Sequence, residues 1–533
     1  NVAVSAGAGA GKTKVLVERY IYLLAERRAE TNEILAITFT NKAAKEMKER
    51  IRARAAELAE EADSGEDKER WRNIKADVES APIGTFHSFC GRLLRDNPVE
   101  AGLDPAFTVL DEVEGELLLE KALAEVLEAG LADGADWLDR LLGTYEQTVL
   151  TELAVGIYDR LAGLGWVNEG LTERLVAPYR CAVEAGEAFQ DELRSLCLEL
   201  IAYKDNLNKT GSQFNRVVSL ERNWETVSEA IGKAVADDAA DMVLTQYLDC
   251  LDRRSKDKEI VADLKETLKK LRRVRADMAA VVLVPDWCQL LLMLHRQLGK
   301  HKTENRVLTF NDLEVRAAEL LGNNPDVLRR YQNRIRQIMV DEFQDTNELQ
   351  RQVVYLLAGG DAGRLFGNKL FVVGDAKQSI YRFRGADVAV FEQVKEDITA
   401  SGGAIIELDM NFRSAGALLD VYNECFATMM GTPHDVIPFS PLAAHRQEGE
   451  VARAEFMLIG KTGLAEGETA RRAEADAIAR RIKRMVDGQE GLVGHGEAVQ
   501  PVCYGDIAVL FRTVKDMEVY TAALQAASIP FCV

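Results

Sequence analysis

A glycine-rich loop at residues 6–13, AGAGAGKT, constrains the fold of this chain more than any other feature. Residues 2–5 before it predict a strand, and residues 15–24 after it have the apolar spacing of a helix. Small residues let backbone N–H groups wrap phosphates, and the helix N-terminus adds partial positive charge. This context predicts a P-loop in an α/β domain with a parallel sheet. The alternative is a glycine-rich turn that only caps a helix.

The last two residues of the loop have distinct chemical roles in a P-loop. Lys12 can reach the β- and γ-phosphates, and the Thr13 hydroxyl can ligate Mg²⁺. The strict pattern begins with glycine, whereas this loop begins with Ala6. The predicted nucleotide-binding residues here are Ala6, Gly7, Ala8, Gly9, Ala10, Gly11, Lys12 and Thr13. A P-loop alone specifies only a nucleotide, because GTPases, kinases, transporters and helicases all have one.

Two carboxylates follow a second apolar strand, predicted over residues 335–340. Asp341 and Glu342 would then lie at the carboxyl edge of a parallel sheet, where ligands bind. Asp341 can hold Mg²⁺, and Glu342 can deprotonate the water that attacks the γ-phosphate. The sequence therefore predicts Asp341 and Thr13 as metal ligands and Glu342 as the catalytic base.

A third strand, predicted over residues 370–373, leads into GDAKQSIYRFRGA at 374–386. Gln378 could hydrogen-bond the γ-phosphate and so report whether it is present. Tyr381 and Phe383 alternate with arginines, including Arg384, as in platforms that stack single-stranded bases. The same aromatic residues could equally belong to a hydrophobic core.

Six segments together resemble the motifs of the UvrD/Rep helicases of superfamily 1. Residues 6–13 resemble motif I, in which alanine at the first position is usual. Five further segments resemble motifs Ia, Ib, II, III and IV and follow the family order. They are ITFTNKAAKEMKERI (37–51), IGTFHSFCGRLL (83–94), DEFQDTN (341–347), GDAKQSIYRFRGA (374–386) and LDMNFRS (408–414).

Three shorter segments resemble the AddA/RecB group within that family. They are TFHSFC at 85–90, AFTVLDE at 106–112 and LTFNDLE at 308–314. This group supplies the motor–nuclease subunit of complexes for recombinational double-strand-break repair. The resemblance therefore implies ATP and Mg²⁺ as cofactors and DNA, single- or double-stranded, as the substrate. It also implies a second helicase–nuclease subunit, AddB- or RecC-like, as a partner.

The resemblance carries roles onto individual residues. Lys12, Glu342, Gln378 and Arg413 are expected to be catalytic, with Arg413 pointing at the γ-phosphate from a second motor domain. Phe412 would stack on adenine in the place where relatives often carry tyrosine. The residues expected to bind DNA are Thr38, Phe39, Thr40, Asn41, Thr85, Phe86, His87, Tyr381, Phe383 and Arg384.

Alternatives remain for some of these side chains. His87 could instead be a histidine with a satisfied partner beneath the sheet edge. Lys42, Lys45 and Lys48 are expected to form the solvated face of a helix over residues 42–54.

The spacing of the motifs predicts three regions. A first RecA-like, ATP-binding domain takes residues 1–100 and 300–400, an all-helical insertion takes 101–299, and part of a second RecA-like domain takes 401–533. Helices of the insertion are predicted over 114–129, 136–142, 151–164, 178–203, 224–233 and 239–251. The basic stretch 256–275 could guide DNA or could be the solvated side of a helix.

In the last region the pattern predicts alternating strands and helices. The strands are 405–410, 454–458 and 506–511, and the helices are 415–429, 474–486 and 519–527. The resemblance also implies segments outside residues 1–533. Motifs V and VI and, in the AddA/RecB group, a nuclease would follow, and a glutamine that reads adenine would precede the P-loop.

The net charge of −20 does not exclude nucleic acid, because a motor needs only a local basic groove. The eight cysteines have no C-x-x-C pair, which favours buried thiols in a reducing cytoplasm over a zinc site or disulfides. The apolar runs are too short to span a membrane, and no signal peptide is expected at the N-terminus.

These features predict an ATP-dependent DNA helicase or translocase, with 3′-to-5′ polarity on single strands implied by the resemblance. One alternative is a UvrD/Rep-like repair helicase without a nuclease. Another is a DNA-binding platform in which ATP sets affinity without turnover. Other P-loop classes are disfavoured, because the chain has no LSGGQ signature and Asn41-Lys42 lacks the aspartate of N-K-x-D.

Overall fold

The computed structural model divides the chain into two compact units. The first comprises Asn1–Ser5 and Thr13–Ile406, and the second comprises Ala6–Lys12 and Glu407–Val533. The structure describes all residues except 236, 252–257, 361–364, 366, 382–385, 431–436, 438, 447–453, 460–466, 491 and 496–497.

A six-stranded sheet forms the centre of the first unit. The strands up to residue 408 are β1 (Val2–Ala6), β2 (Ile34–Thr38), β3 (Ile83–Thr85), β4 (Thr108–Val109), β5 (Val307–Leu308), β6 (Gln337–Val340), β7 (Leu370–Gly374) and β8 (Ala404–Leu408). The order in the sheet is β3-β2-β6-β7-β1-β8, and the neighbours from β3 to β1 pair in parallel. Every residue of β2 and β7 is buried, as expected for parallel strands covered on both faces. The predicted α/β fold with a parallel sheet is confirmed.

Helices cover this sheet and also form a large insertion between β4 and β5. Those before the insertion are α1 (Lys12–Ala25), α2 (Asn41–Glu61), α3 (Gly65–Asp77), α4 (Phe86–Asp96) and α5 (Pro98–Ala101). Those of the insertion are α6 (Glu112–Ala132), α7 (Asp136–Thr144), α8 (Gln147–Gly163), α9 (Leu171–Ala202), α10 (Ser212–Arg222), α11 (Trp224–Lys233), α12 (Asp238–Leu244), α13 (Lys258–Val281) and α14 (Val284–Asn305). Those after it are α15 (Phe310–Asn323), α16 (Pro325–Arg334), α17 (Glu348–Leu357) and α18 (Val388–Ala400).

The insertion buries two separate apolar clusters. One includes Leu123, Leu141 and Leu291, and the other includes Leu220 and Leu264. The predicted helical character of this region is confirmed. The helix predicted from residue 178 begins at residue 171 instead, because α9 runs through Pro178 rather than starting there.

The basic stretch at 256–275 lies mostly on α13, and acidic side chains neutralise part of it. Arg272 pairs with Asp241 at 2.7 Å and with Asp249 at 2.9 Å, and Arg275 lies 3.6 Å from Asp241. These ion pairs favour a structural role for this side of α13. Residues 256 and 257 lie outside the described residues.

The second unit departs from the predicted alternation of strands and helices. Its elements are β9 (Met410–Ala415), β10 (Ala443–Arg446), β11 (Leu492–His495), β12 (Ala498–Pro501), α19 (Gly416–Met430), α20 (Gly467–Asp487) and α21 (Met517–Ala526). The three helices are confirmed within a few residues, apart from an earlier start of α20. The strand predicted at 405–410 is instead β8 and the start of β9, with a break at Asp409.

The strands predicted at 454–458 and 506–511 are wrong, because the structure has no strand there. Several of their apolar side chains lie in solvent, since Phe456 is 81% exposed and Leu458 and Leu510 are each 92% exposed. In the second run, Ile507 and Val509 instead pack against a small apolar cluster. An apolar run becomes a strand only where a neighbour pairs with it, and these runs have no such neighbour among the described residues.

The expectation of buried thiols is only partly correct. Among the cysteines whose side chains the structure describes, Cys90, Cys197 and Cys288 are buried, whereas Cys250, Cys425, Cys503 and Cys532 are exposed. Among the residues that the structure describes, no helix is long and apolar enough to cross a membrane.

Candidate functional site

An open cleft lies at the carboxyl ends of β2, β3 and β6 in the first unit. We call it the carboxylate cleft, because Asp341 and Glu342 form part of its wall. The lining residues are Thr38, Phe39, Thr85, Phe86, His87, Asp341, Glu342, Asp345, Thr346 and Gln350. Parallel pairing in register explains why residues from motifs Ia, Ib and II meet here, since strands that run together end at one edge.

The turn that presents Glu342 is strained. Glu342 has a left-handed backbone with φ of 50°, which is unfavourable for a residue with a side chain. Its N–H donates to Asp341 Oδ1 at 3.0 Å, and its carbonyl accepts from Asp345 N at 3.0 Å. These bonds hold the predicted catalytic base at the end of β6, with Asp341 only 8% exposed beside it.

Gln344 joins motif II to motif III, a role that the sequence analysis did not assign. Its Nε2 donates to Glu342 Oε2 at 2.9 Å, and its Oε1 accepts from the backbone N–H of Asp375 at 2.9 Å. Gly374 allows this approach, because a Cβ there would lie 2.8 Å from Gln344 Oε1. The side chain of Gln344 thus fixes the orientation of the Glu342 carboxylate.

Asp375 organises the residues that follow β7. It is 2% exposed and accepts from Gln378 Nε2 at 2.7 Å and from the backbone N–H of Lys377 at 3.1 Å. The predicted sensor Gln378 is therefore held by Asp375 at the same sheet edge as the carboxylates. Asp375 is the one acidic residue of GDAKQ at 374–378, and this is the sequence signal from which its contact with Gln378 could have been predicted.

The predicted DNA-binding hydroxyls also shape the backbone. Thr40 caps α2 by accepting from Ala43 N at 3.0 Å, and Thr85 caps α4 by accepting from Ser88 N at 3.2 Å. Thr38 Oγ1 donates to the carbonyl of Thr40 at 3.0 Å. Both helices therefore start at the carboxylate cleft, where N–H groups of their first turns can meet phosphates.

Aromatic rings from motifs Ia and III are in contact. The ring centroids of Phe39 and Tyr381 are 4.5 Å apart, with an interplanar angle of 35°. Phe86 is 8% exposed and lies in the core, whereas Asn41 is exposed. The predicted platform residues Phe383 and Arg384 lie outside the described residues.

His87 has a defined partner and also an accessible face. Its Nε2 lies 3.1 Å from Glu314 Oε1, and 40% of its side chain is exposed. The ring also packs edge-on against Phe310, with centroids 4.9 Å apart. The sequence left open whether His87 binds DNA or is a structural histidine with a hydrogen-bond partner. The structure is compatible with both, because His87 pairs with Glu314 and also lines the carboxylate cleft.

Glu314 is the buried acid of this pair. Burial alone would raise the pKa of Glu314, but hydrogen bonds from His87, Asn347 and Gln350 outweigh it and hold the pKa below its ordinary value. The carboxylate is therefore charged at neutral pH. Glu314 lies in the segment LTFNDLE at 308–314, which was predicted only to resemble the AddA/RecB group.

Two glycines of the predicted P-loop have left-handed backbones. Gly9 and Gly11 have φ of 72° and 87°, which disfavours any side chain at either position. Lys12 and Thr13 follow at the start of α1. The hydroxyl of Thr13 and the carboxylate of Asp341 are hard oxygen donors of the kind that Mg²⁺ prefers, so these residue types fit a nucleotide with its metal.

Within the second unit, motif IV packs on this loop. Asn411 is 2% exposed and donates from Nδ2 to the carbonyl of Ala8 at 2.6 Å. Its Oδ1 accepts from the N–H groups of Arg413 and Ser414 at 2.8 and 2.7 Å. Asn411, which the sequence analysis missed, thus fixes the backbone of the predicted arginine finger.

The predicted adenine-stacking residue lies on the same strand. Phe412 is 51% exposed, its ring centroid lies 4.6 Å from that of His445, and its N–H donates to the carbonyl of Gly9 at 2.9 Å.

Comparison with known proteins identifies a family. The model of the UvrD/REP helicase N-terminal domain matches residues 1–399. This range includes motifs I to III and the whole helical insertion.

Individual relatives have one name in common, that of the AddA subunit of an ATP-dependent helicase/nuclease. The protein of that name from Bacillus licheniformis is 28% identical over 593 residues, which cover 96% of this chain and 46% of the relative. The one from Bacillus velezensis is 30% identical, with coverages of 96% and 46%. The one from Staphylococcus aureus strain NCTC 8325 is 27% identical, with coverages of 100% and 47%. The chain spans about half the length of these curated relatives.

Proposed function

We propose, from the premise that this chain belongs to the UvrD/Rep helicase family, that it forms the ATP-driven motor of a DNA helicase. The observation that carries the proposal is the carboxylate cleft. Asp341 and Glu342, which suit nucleotide hydrolysis, share its wall with Phe39 and His87, which suit DNA. A motor needs this proximity, because DNA contact must change the rate of hydrolysis.

The nucleotide side of the site would work as follows. ATP with Mg²⁺ would supply the phosphoanhydride bond whose cleavage drives movement. Lys12 would neutralise charge on the phosphates, and Asp341 and Thr13 would hold the metal. Glu342 would take a proton from the attacking water, with its carboxylate oriented by Gln344.

Two further residues complete the proposed chemistry. Arg413 would stabilise negative charge that develops on the γ-phosphate, with its backbone fixed by Asn411. Gln378 would contact the γ-phosphate from its position on Asp375.

The DNA side would grip the backbone and the bases separately. The first turns of α2 and α4 offer backbone N–H groups to phosphates, in a manner independent of sequence. The rings of Phe39 and Tyr381 offer surfaces on which bases can stack. Alternating grip in the two nucleotide states would move the protein along a single strand, with a 3′-to-5′ direction proposed from the family resemblance.

The cellular role is proposed from the relatives. Their name, that of a helicase/nuclease component, supports a role in recombinational double-strand-break repair in the cytoplasm, beside a second AddB- or RecC-like subunit. The division into RecA-like domains at 1–100 plus 300–400 and at 401–533, around an insertion at 101–299, is part of the same proposal. A UvrD/Rep-like helicase without a nuclease is the alternative within the family.

The decisive experiment measures ATP hydrolysis by the intact protein with and without single-stranded DNA. We expect DNA to stimulate turnover. Glu342→Gln should lower turnover by about 10²- to 10⁴-fold, because it removes the general base, while a fluorescent ATP analogue still binds. Glu49→Gln, on the exposed side of α2, is the matched control and should leave turnover unchanged.

Two results would contradict the proposal. Undiminished turnover in Glu342→Gln would remove this residue as the base. ATP binding that alters DNA affinity while wild-type turnover is absent would favour the non-hydrolysing platform instead.

A further inference from the structure

Glu314 is a buried carboxylate that the proposed mechanism does not yet use. Its side chain is 5% exposed, and it lies on α15, which packs against both α4 and α17. Helix α4 carries His87 of motif Ib, and α17 begins directly after the motif II turn. The acid therefore lies between the part of the cleft that suits DNA and the part that suits nucleotide hydrolysis.

Three donors from these two helices converge on the Glu314 carboxylate. His87 Nε2 lies 3.1 Å from Oε1, and Gln350 Nε2 donates to the same oxygen at 2.6 Å. Asn347 Nδ2 donates to Oε2 at 2.8 Å. A charged carboxylate accepts all three bonds, whereas an amide of the same shape would have to turn an NH₂ group toward at least one donor.

The two donors on α17 are themselves locked. Asn347 is the N-cap of α17 and accepts from Gln350 N at 2.8 Å, while the Gln350 side chain accepts from Asn347 N at 3.4 Å. Flipping either amide to suit a new partner would break this capping box. The adaptable partner of Glu314 is therefore His87, whose ring can rotate or change tautomer.

The position of His87 matters because it faces the carboxylate cleft. With Nε2–H donated to Glu314, Nδ1 is the ring nitrogen left to meet DNA, and Phe310 limits rotation by packing on the ring. Loss of the acid would leave the ring with several orientations in place of one.

We propose that Glu314 is a positioning residue that holds His87 in its DNA-binding orientation and ties that orientation to the start of α17, beside the motif II turn. This inference rests on the proposed function. Glu314 touches neither nucleotide nor DNA, and it acts on DNA binding through His87 alone.

The test is a double-mutant cycle on the intact protein. It compares wild type, His87→Ala, Glu314→Gln and the double variant, with fluorescently labelled oligo(dT) as the probe and anisotropy as the readout. Glu314→Gln should raise the Kd for oligo(dT) by about three- to tenfold, the range set by one net hydrogen bond. In the His87→Ala background the same change should have no further effect.

Kinetic readouts separate positioning from a general structural role. Glu314→Gln should raise the DNA concentration that half-stimulates ATP hydrolysis by a larger factor than it changes KM for ATP or turnover without DNA. Glu319 is an exposed acid on the same helix, so Glu319→Gln is the matched control. It should leave the half-stimulating DNA concentration, KM for ATP and turnover without DNA unchanged. Additive effects in the cycle, or an equal loss of turnover with and without DNA, would overturn the proposal.

A second variant covers the case in which Glu314→Gln does not fold. Glu314→Asp keeps the buried negative charge but shortens the reach to His87, so it should raise the Kd in the same direction and again show no effect in His87→Ala. An unchanged Kd in a folded Glu314→Asp variant would reject the inference. If wild type shows no DNA-stimulated turnover, the proposed function fails, and this outcome is distinct from a wild-type motor that tolerates the loss of Glu314.

Discussion

The motif II–III edge of the first unit and motif IV of the second unit are organised by one buried amide each, but in different surroundings. Gln344 lies among strands whose side chains are almost all buried. Asn411 is equally buried, yet its neighbours Met410 and Phe412 are 39% and 51% exposed. One amide is thus part of a continuous core, and the other fixes a local turn.

This difference in burial predicts how far from each amide a substitution should change the structure. A donor left without a partner inside a core cannot be rescued by water, whereas one near an exposed strand can. We therefore expect damage at Gln344 to spread across the sheet edge, and damage at Asn411 to stay within a few residues. The following predictions test this contrast, from the largest expected effect to the smallest.

Gln344→Leu should have the largest effect on stability. It removes the donor to Glu342 and leaves the N–H of Asp375 without its acceptor, so the free energy of unfolding should fall by about 2–4 kcal/mol. ATP turnover should fall with it, because the Glu342 carboxylate is no longer oriented. Denaturant unfolding and steady-state hydrolysis measure the two losses. Gln393→Leu, at an exposed position on α18, is the control, and an equal effect there would contradict the contrast.

Asn411→Ala should have a smaller and more local effect. The N–H groups of Arg413 and Ser414 and the carbonyl of Ala8 lose their partner, but water can reach this strand, so the cost should be about 1–2 kcal/mol. Hydrogen exchange should become faster in residues 6–12 and 410–415 and stay unchanged in β2 and β6. Faster exchange across the sheet of the first unit would break the comparison.

Glu314 should make stability depend on pH in acid. Because the folded-state pKa lies below the ordinary value of 4.5, the charged form stabilises the native state, and this contribution is complete above that value. It is lost as the pH falls below 4.5 through the folded-state pKa. The difference in unfolding free energy between wild type and Glu314→Gln, measured from about pH 7 to about pH 3, should shrink as the pH falls. A constant difference would show that charge at this position is irrelevant.

The basic side of α13 should give the smallest effect. Lys269 and Arg273 are exposed, while the neighbouring Arg272 already pairs with Asp241 and Asp249. Replacing Lys269 and Arg273 together with Gln should change the Kd for oligo(dT) by less than about twofold, since isolated surface charges contribute little. A large loss of affinity would restore the alternative in which this helix guides DNA.

The sequence predicted the central strands well because their environment is uniform. Runs such as 370–373 are apolar throughout, which is the pattern of a strand covered on both faces. The run at 454–458 is apolar except for Glu455, yet it lies in solvent, with Phe456 81% exposed. The local sequence pattern shows that a segment is able to form a strand. Whether a neighbouring strand is there to pair with it depends on the rest of the fold.

In the candidate site, too, some residues could be predicted from the local sequence and others only from the fold. Asp341 and Glu342 were predictable because two acids after a buried strand have few other uses, although their catalytic roles stay predictions. The partnership of Glu314 with His87 was not predictable, since 227 positions separate them and either residue is ordinary in its own segment. Gln344 was similarly hidden, because an amide in a polar motif does not reveal which backbone group it will bind.

The contact between Phe39 and Tyr381 has a consequence for the proposed stacking of bases on these rings. A flat base inserted between two rings needs a separation of about 7 Å, twice a carbon–carbon contact distance, and these centroids are 4.5 Å apart. In the proposed complex a base would therefore either stack on an outer face or separate the two rings, which would cost about 0.5–1.5 kcal/mol of ring–ring attraction. The same attraction would oppose the passage of a base in either direction, so the pair would slow movement along a strand without giving that movement a direction.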